Sequence, residues 1–167
     1  MLKVTKTCGD KMVNLYKEEI IKPEDSIILI ITDNISENIE KTIEDIYKKG
    51  QVDLLINKLT DDIIEENEKL GDKKLRNEHF KNIHVFNLNT LTFDIGKHMA
   101  VPKHECVRDK KEIDSILKVT NTKLNNLPII LRKDPMAKLL RLAPGDICKI
   151  TRKSDKCGEY TYYRVCE

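Results

Sequence analysis

The chain has 167 residues, of which 40% are apolar and 35% are charged, so it is long enough for one compact domain or two small ones. No apolar run approaches the roughly 18 residues of a membrane-spanning helix, and the N-terminus has no signal-peptide pattern, so we expect a soluble, intracellular protein. Five widely spaced cysteines without a CxxC pair support neither a disulfide framework nor a zinc ribbon.

The net charge of +2 hides an asymmetry between the two halves of the chain. Residues 1–93 carry 14 Lys or Arg and 18 Asp or Glu, whereas residues 94–167 carry 16 and 10, so the halves have net charges of −4 and +6. Four of the five prolines also lie in the second half. Both trends predict a domain boundary near residue 93. A basic half can face phosphates or an acidic protein surface, and charge alone does not choose between them.

The first half alternates between helix and strand patterns. The predicted elements are a helix over 10–20, a strand over 26–32 buried on both faces, a helix from 34 or 36 to 49, a strand over 52–56, a helix over 61–70 and a strand over 83–86. Gly50 is interpreted as the stop of the second helix. This order implies parallel crossovers and an N-terminal three-layer α/β domain. The segment 33–36, between the first strand and the next helix, contains no glycine, which argues against the usual kinds of nucleotide binding.

The second half predicts short helices followed by a hairpin. Asp109 caps a helix to about residue 119, and Asp134 with Pro135 begins another. Pro144 and Gly145 fit the centre of a type II turn between Ala143 and a strand over 146–152, and residues 159–165 return as a second strand. The fold class expected is therefore α+β overall, ending in a small α+β domain with a terminal β-hairpin.

Five segments of the second half form an ordered series that resembles a known family. They are HMAVPKH at 98–104, LPII at 127–130, DPMAK at 134–138, PGDICKITRKS at 144–154 and GEYTYYRV at 158–165. The series resembles the fifth subunit shared by the eukaryotic nuclear RNA polymerases and its smaller archaeal counterpart. The likeness covers about residues 83–167. It fails at residues 138–141 and at Ile129, where relatives usually have other residues, so contacts there are expected to differ.

The resemblance implies a non-catalytic, structural subunit of a multisubunit DNA-dependent RNA polymerase. Residues 94–167 would be the assembly domain, which docks on the largest subunit, and residues 1–93 a shortened jaw domain that faces downstream DNA indirectly or weakly. Other polymerase subunits are further partners, and no cofactor, metal, membrane or small-molecule ligand is expected. The diverged sequence suits a large DNA virus or a fast-evolving parasite, so the protein would act in the nucleus if cellular, or in a viral factory or virion if viral.

The resemblance also implies which residues contact the largest subunit. The candidates are Pro102, His104, Leu127, Pro128, Asp134, Pro135, Lys149, Arg152, Ser154, Tyr160, Tyr163 and Arg164. Several prolines, glycines and the capping aspartate have backbone roles first and would act by shaping a docking surface. Five basic residues lie along or beside the predicted hairpin: Lys149, Arg152, Lys153, Lys156 and Arg164. Several are expected to share a face, which either meets carboxylates or phosphates or simply faces solvent, and Arg164 is the one expected to be buried enough to pair.

Three other hypotheses remain open from the residues alone. The basic half could belong to a free nucleic-acid-binding factor that reuses the domain. Asp33, Asp53 and Lys58 near strand ends could form a metal-dependent nuclease site, although no ordered catalytic triad is visible. His98, His104 and Cys106 could ligate a metal, but the spacing offers no fourth donor nearby, and hydrogen-bonded histidines are the simpler interpretation.

Overall fold

In the computed structural model of the protein, the described residues are 4–18, 20–22, 25–32, 34–56, 61–71, 75–156 and 158–167. They combine helices and strands, which confirms a mixed α and β fold. The chain divides into two compact units, one of Met1–Glu65 with Leu75–Thr92 and the other of Glu66–Lys74 with Phe93–Glu167. No helix in these described ranges is long and apolar enough to cross a membrane.

The first unit is built on a short parallel sheet. Its elements are α1 (Val4–Lys17), β1 (Ile27–Ile31), α2 (Glu37–Ile56) and β2 (Ile83–Asn87), while α3 (Asp61–Lys69) lies across the division between the units. β1 and β2 pair in register from Ile27 opposite Ile83 to Ile31 opposite Asn87. Met12 of α1 and Ile43 of α2 pack against Ile83 and Val85, so both helices cover the same face of the sheet.

Several predictions for this unit are wrong. Residues 52–56, predicted as a strand, continue α2, so Asp53 is helical and does not lie at a strand end. β1 is not buried on both faces, because Ile28 and Ile30 are 52% and 55% exposed. The described part of the unit therefore has a two-stranded sheet with helices on one face, and the predicted three-stranded, three-layer arrangement is incorrect for it. Asp33 and Lys58 lie outside the described residues.

The helix continues through Gly50 because its buried stripe continues. Ile43, Tyr47 and Gly50 are buried at helical spacing, and Leu54 is half-buried one turn later. The Tyr47 hydroxyl donates to the Glu78 carbonyl at 2.8 Å, and the Gln51 amide donates to the Phe80 carbonyl at 2.9 Å. These hydrogen bonds hold both sides of Gly50 against the segment before β2, so tertiary contacts outweigh the helix-breaking tendency of glycine.

The second unit is a four-stranded sheet between two helices. Its elements are β3 (Lys103–Val107), α4 (Lys110–Thr120), β4 (Ile129–Ile130), α5 (Pro135–Leu139), β5 (Ile147–Ser154) and β6 (Gly158–Cys166). The strand order is β3-β5-β6-β4, antiparallel except for the parallel pairing of β4 with β6. The predicted hairpin and both helices are confirmed, whereas the edge strands β3 and β4 were not predicted.

Each face of this sheet has its own core. On the face that we call the α4 face, Val107, Ile147 and Val165 pack against Ile116 of α4. On the opposite face, the α5 face, Cys148, Ile150 and Cys166 pack against Ala137 and Leu142 at α5. Alternate residues of β5 and β6 therefore serve different cores, and the ends of the strands nearest the hairpin turn extend beyond both.

Candidate functional site

The α4 face of the hairpin carries basic groups that are balanced by acids. Lys149 lies opposite Glu105 of β3, at 3.9 Å between Nζ and Oε2, and Lys103 Nζ lies 2.6 Å from the same carboxylate. The hydrogen bond from Lys103 lowers the pKa of Glu105. Further along, Lys153 lies opposite Glu159. This face is therefore close to charge balance, and its ion pairs are exposed and weak.

The α5 face of the hairpin carries two arginines and two tyrosines. The Arg152 guanidinium carbon lies 5.1 Å from the centroid of the Tyr162 ring, and that of Arg164 lies 5.9 Å from it. The Tyr160 ring stacks against Tyr162 with centroids 6.1 Å apart and an angle of 27° between the planes. These four residues, named here the Arg–Tyr patch, bring Arg152, Tyr160 and Arg164 of the predicted site together. The predicted sharing of a face by basic residues is thus correct for the arginines, while Lys149 lies on the other face.

Arg164 is half-buried, and its hydrogen-bond partner is a backbone group. Its Nη1 donates to the Ile129 carbonyl at 2.9 Å, so it joins β6 to the edge strand β4. Within the part of the chain that the structure describes, neither Arg164 nor Arg152 has a carboxylate partner. The Arg–Tyr patch therefore presents two guanidinium groups that form no salt bridge with a described acid.

His104 borders the Arg–Tyr patch on the same face of the sheet. It lies opposite Ile150, which in turn lies opposite Tyr162. The Nδ1 atom of His104 is 2.7 Å from the Pro102 carbonyl, and this contact favours the tautomer that carries its proton on Nδ1. Pro102 thus orients His104. Ser154 also lies on this face, at the hairpin turn, where its hydroxyl accepts a hydrogen bond from the Lys156 backbone at 3.4 Å.

The remaining predicted site residues have mainly structural surroundings. Leu127 and Tyr163 belong to the core on the α4 face, and the Pro128 carbonyl accepts a hydrogen bond from the Val165 amide at 2.8 Å. Asp134 caps α5 by accepting from the Met136 amide at 2.8 Å, with Pro135 at the first helical position. These residues fix the shape of the unit, and their contact with a partner stays a prediction.

The sequence did not point to the ion pair that links the end of β3 to the start of β5. Asp146, fully buried, accepts hydrogen bonds on Oδ2 from Arg108 Nε at 3.2 Å and from the Ala143 amide at 3.0 Å. Arg108 also donates through Nη2 to the Arg141 carbonyl at 2.8 Å. No strand was predicted at residues 103–107. Such a prediction would have placed Arg108 at the end of a strand beside β5. Tyr162 was also missed, although the spacing of Tyr160, Tyr162 and Arg164 puts all three on one face of a strand.

Three described cysteines of this unit, Cys106, Cys148 and Cys166, are suited to packing. Burial raises the pKa of Cys106 and of Cys148 to about 11 and that of Cys166 to about 12, with Asp146 adding to the rise at Cys106 and Cys166. The protonated thiols are poor nucleophiles and poor metal ligands near neutral pH. Across the described ranges, no group of three or more His, Cys, Asp or Glu side chains is arranged to hold a metal ion.

Comparison with known proteins gives the second unit a family. Residues 93–166 match the family model described as RNA polymerase Rpb5, C-terminal domain. Proteins called DNA-directed RNA polymerase subunit Rpo5 are similar to this chain over a stretch of comparable length. The relative from Archaeoglobus fulgidus is 45% identical over 75 residues, which cover 45% of this chain and 97% of the relative.

Two further relatives with the same name agree with this match. That from Nitrosopumilus maritimus is 48% identical over 70 residues, covering 42% of this chain and 83% of the relative. That from Sulfurisphaera tokodaii is 47% identical over 74 residues, which cover 44% of this chain and 87% of the relative. The relatives are thus covered almost completely, while more than half of this chain lies outside each match. The resemblance inferred from the five sequence segments is confirmed, and the chain belongs to the RNA polymerase Rpb5 C-terminal domain family.

Proposed function

We propose that this protein is a non-catalytic subunit of a multisubunit DNA-directed RNA polymerase. The observation that carries the proposal is the match of residues 93–166 to the Rpb5 C-terminal domain, since the matched relatives bear the name of polymerase subunits. The matched residues also fold as a unit with two cores of their own, which suits a module that assembles with other chains. Catalysis would belong to other subunits of the complex.

The second unit is the part that docks on the largest subunit. Local contacts support this role, because the capped helix α5, the turn at Gly145 and the Arg108–Asp146 pair help to fix how the strands are arranged. A preformed surface loses little conformational entropy on binding. The first unit serves as a shortened jaw near downstream DNA, with only weak or indirect contact to it. The protein acts wherever its polymerase transcribes, in a nucleus, a viral factory or a virion.

Copurification tests the proposal directly. An affinity tag on this chain is expected to recover the two large polymerase subunits together with it, at one copy of each, from the cells or particles that express it. A preparation of active polymerase that lacks this chain would contradict the proposal. The same preparation, cross-linked to a DNA template and digested, tests the jaw assignment, because cross-links to DNA are expected in residues 1–93 rather than in the hairpin.

A further inference from the structure

We infer that the Arg–Tyr patch binds an acidic segment of a partner protein in the polymerase, so that carboxylates of that segment contact Arg152 and Arg164. This inference rests on the proposed function, because it names the chemistry of the partner surface that the second unit meets. It also selects one face of the hairpin. The α5 face carries the contact, and the α4 face with Lys149 and Tyr163 does not.

The first argument is charge. Along β5 and β6, the α5 face has two arginines and no acidic residue, whereas the α4 face pairs its lysines with Glu105 and Glu159. The Arg152 side chain makes no hydrogen bond or ion pair to any described residue, and its contact is the Tyr162 ring. Its five N–H donors are therefore open to solvent or to a partner. An acidic partner complements this face and gains little from the other.

The second argument is preorganisation. Both guanidinium groups lie against one tyrosine ring, and Arg164 is held further by the Ile129 carbonyl. A long side chain that is already ordered loses less rotamer entropy when it binds, and a guanidinium fork matches a carboxylate with two parallel hydrogen bonds. Tyr160, which is 42% exposed, extends the apolar surface beside the two cations. Arginine and tyrosine are also the residue types that most often dominate protein interfaces.

A protein segment fits this face better than a nucleic acid does. Duplex DNA carries one negative charge for about every 1.7 Å of its axis, and strong binding neutralises several phosphates in a row. The α5 face of the hairpin offers only two cations, and the neighbouring lysines lie on the opposite face. Tyr160 already has one ring face against Tyr162, which leaves a single ring face for a base to stack on.

The test uses the complete chain and the purified large polymerase subunits. Reversing both charges in Arg152→Glu with Arg164→Glu is expected to weaken binding to those subunits by about a hundredfold. The matched control reverses two lysines outside the patch, Lys153→Glu with Lys156→Glu, and is expected to change binding by less than about twofold. Urea unfolding of each variant shows whether the fold is retained.

A second measurement identifies the partner chemistry. In a variant with Arg152→Lys, a carbodiimide joins the new amine to a carboxylate in contact with it, and mass spectrometry is expected to find Lys at position 152 linked to an Asp or Glu of a polymerase subunit. Failure of the unaltered chain to bind the large subunits would overturn the proposed function. Normal binding by the chain with both arginines reversed would overturn this inference alone, as would loss of DNA binding by that chain with subunit binding unchanged.

Discussion

Arg108 and Asp146 form an ion pair that joins the end of β3 to the start of β5, with 3.2 Å between Nε and Oδ2. The Asp146 side chain is 1% exposed and that of Arg108 is 33% exposed, so the acid is buried and the base reaches the surface. Arg108 also contacts the carbonyl of Arg141, whose φ of 51° is uncommon for a residue with a side chain. One side chain therefore supports both the buried acid and the turn that precedes β5.

Removing the base of this pair is expected to destabilise the second unit. Arg108→Met keeps most of the side-chain volume but removes the charged hydrogen bond from Arg108 to the buried Asp146 carboxylate, so the free energy of unfolding should fall by about 2 kcal/mol. Urea unfolding of the complete chain measures the change. Adding Asp146→Asn to the same variant removes the charge and should restore part of the loss, because the amide oxygen can still accept from the Ala143 amide. If both variants unfold at the same urea concentration as the unaltered chain, the pair contributes nothing.

The second unit was more predictable from its sequence than the first, and the reason is local chemistry. Pro135 after Asp134 specifies a helix start whatever surrounds it, and Gly145, with φ of 83°, occupies the position of the type II turn that requires a positive φ. The short edge strands β3 and β4 have no such local signal, since their pairing with β5 and β6 depends on distant residues. The position of Arg152 beside Tyr160 and Tyr162 likewise depends on the register of β5 and β6, which the sequence alone did not reveal.

The N-cap of α5 provides a second prediction. Asp134→Ala removes the carboxylate that accepts from the Met136 amide, and is expected to lower the free energy of unfolding by about 1 kcal/mol. Asp134→Asn is the matched control, because asparagine is as good a cap and should cost much less. Equal losses in the two variants would show that the charge of Asp134, rather than its hydrogen bond, provides the stability. Thermal and urea unfolding both report the difference.

The raised thiol pKa values predict a loss of stability at alkaline pH. The pKa of Cys148 rises from its ordinary value of 9.0 to about 11 in the folded chain because burial disfavours the thiolate. Between pH 9 and about pH 11 the folded protein keeps the thiol proton that the unfolded chain loses. The stability that the buried, protonated thiol contributes is therefore complete below pH 9 and is lost as the pH rises towards 11. Comparing urea unfolding at pH 8 and pH 10 measures the loss, which should be smaller in Cys148→Ala. An identical pH dependence in that variant would contradict the assignment.

The three buried or partly buried thiols of the second unit are expected to resist alkylation in the folded state. Cys106, Cys148 and Cys166 should react with iodoacetamide at pH 7.5 far more slowly than they do in urea, because little thiolate is present and burial restricts access. Peptide mass spectrometry resolves each cysteine separately. Rapid labelling of Cys148 in the native protein would show that the sheet between α4 and α5 opens readily.

The interpretation of Gly50 as a helix stop failed because a short stretch with four apolar residues, such as Val52 to Ile56, fits either a strand or a helix. The structure makes Gly50 an interior residue of α2, and this has a measurable consequence. A Cβ at this position would meet Lys81 Cδ at 3.2 Å, and that atom belongs to a flexible side chain that can move. Gly50→Ala should therefore stabilise the chain by about 0.5 kcal/mol, since alanine favours the helix and restricts the unfolded state.

A second glycine serves as the matched control for this substitution. Gly71 follows α3 with φ of 57°, and a Cβ there would meet nothing within 4 Å, so Gly71→Ala tests backbone strain without a steric clash. It is expected to lower the free energy of unfolding by about 1 kcal/mol. Circular dichroism and thermal unfolding of both variants distinguish the alternatives. If Gly50 instead ended a helix in the left-handed conformation before a strand, both alanines would destabilise the chain, whereas a continuous α2 requires shifts in melting temperature of opposite sign.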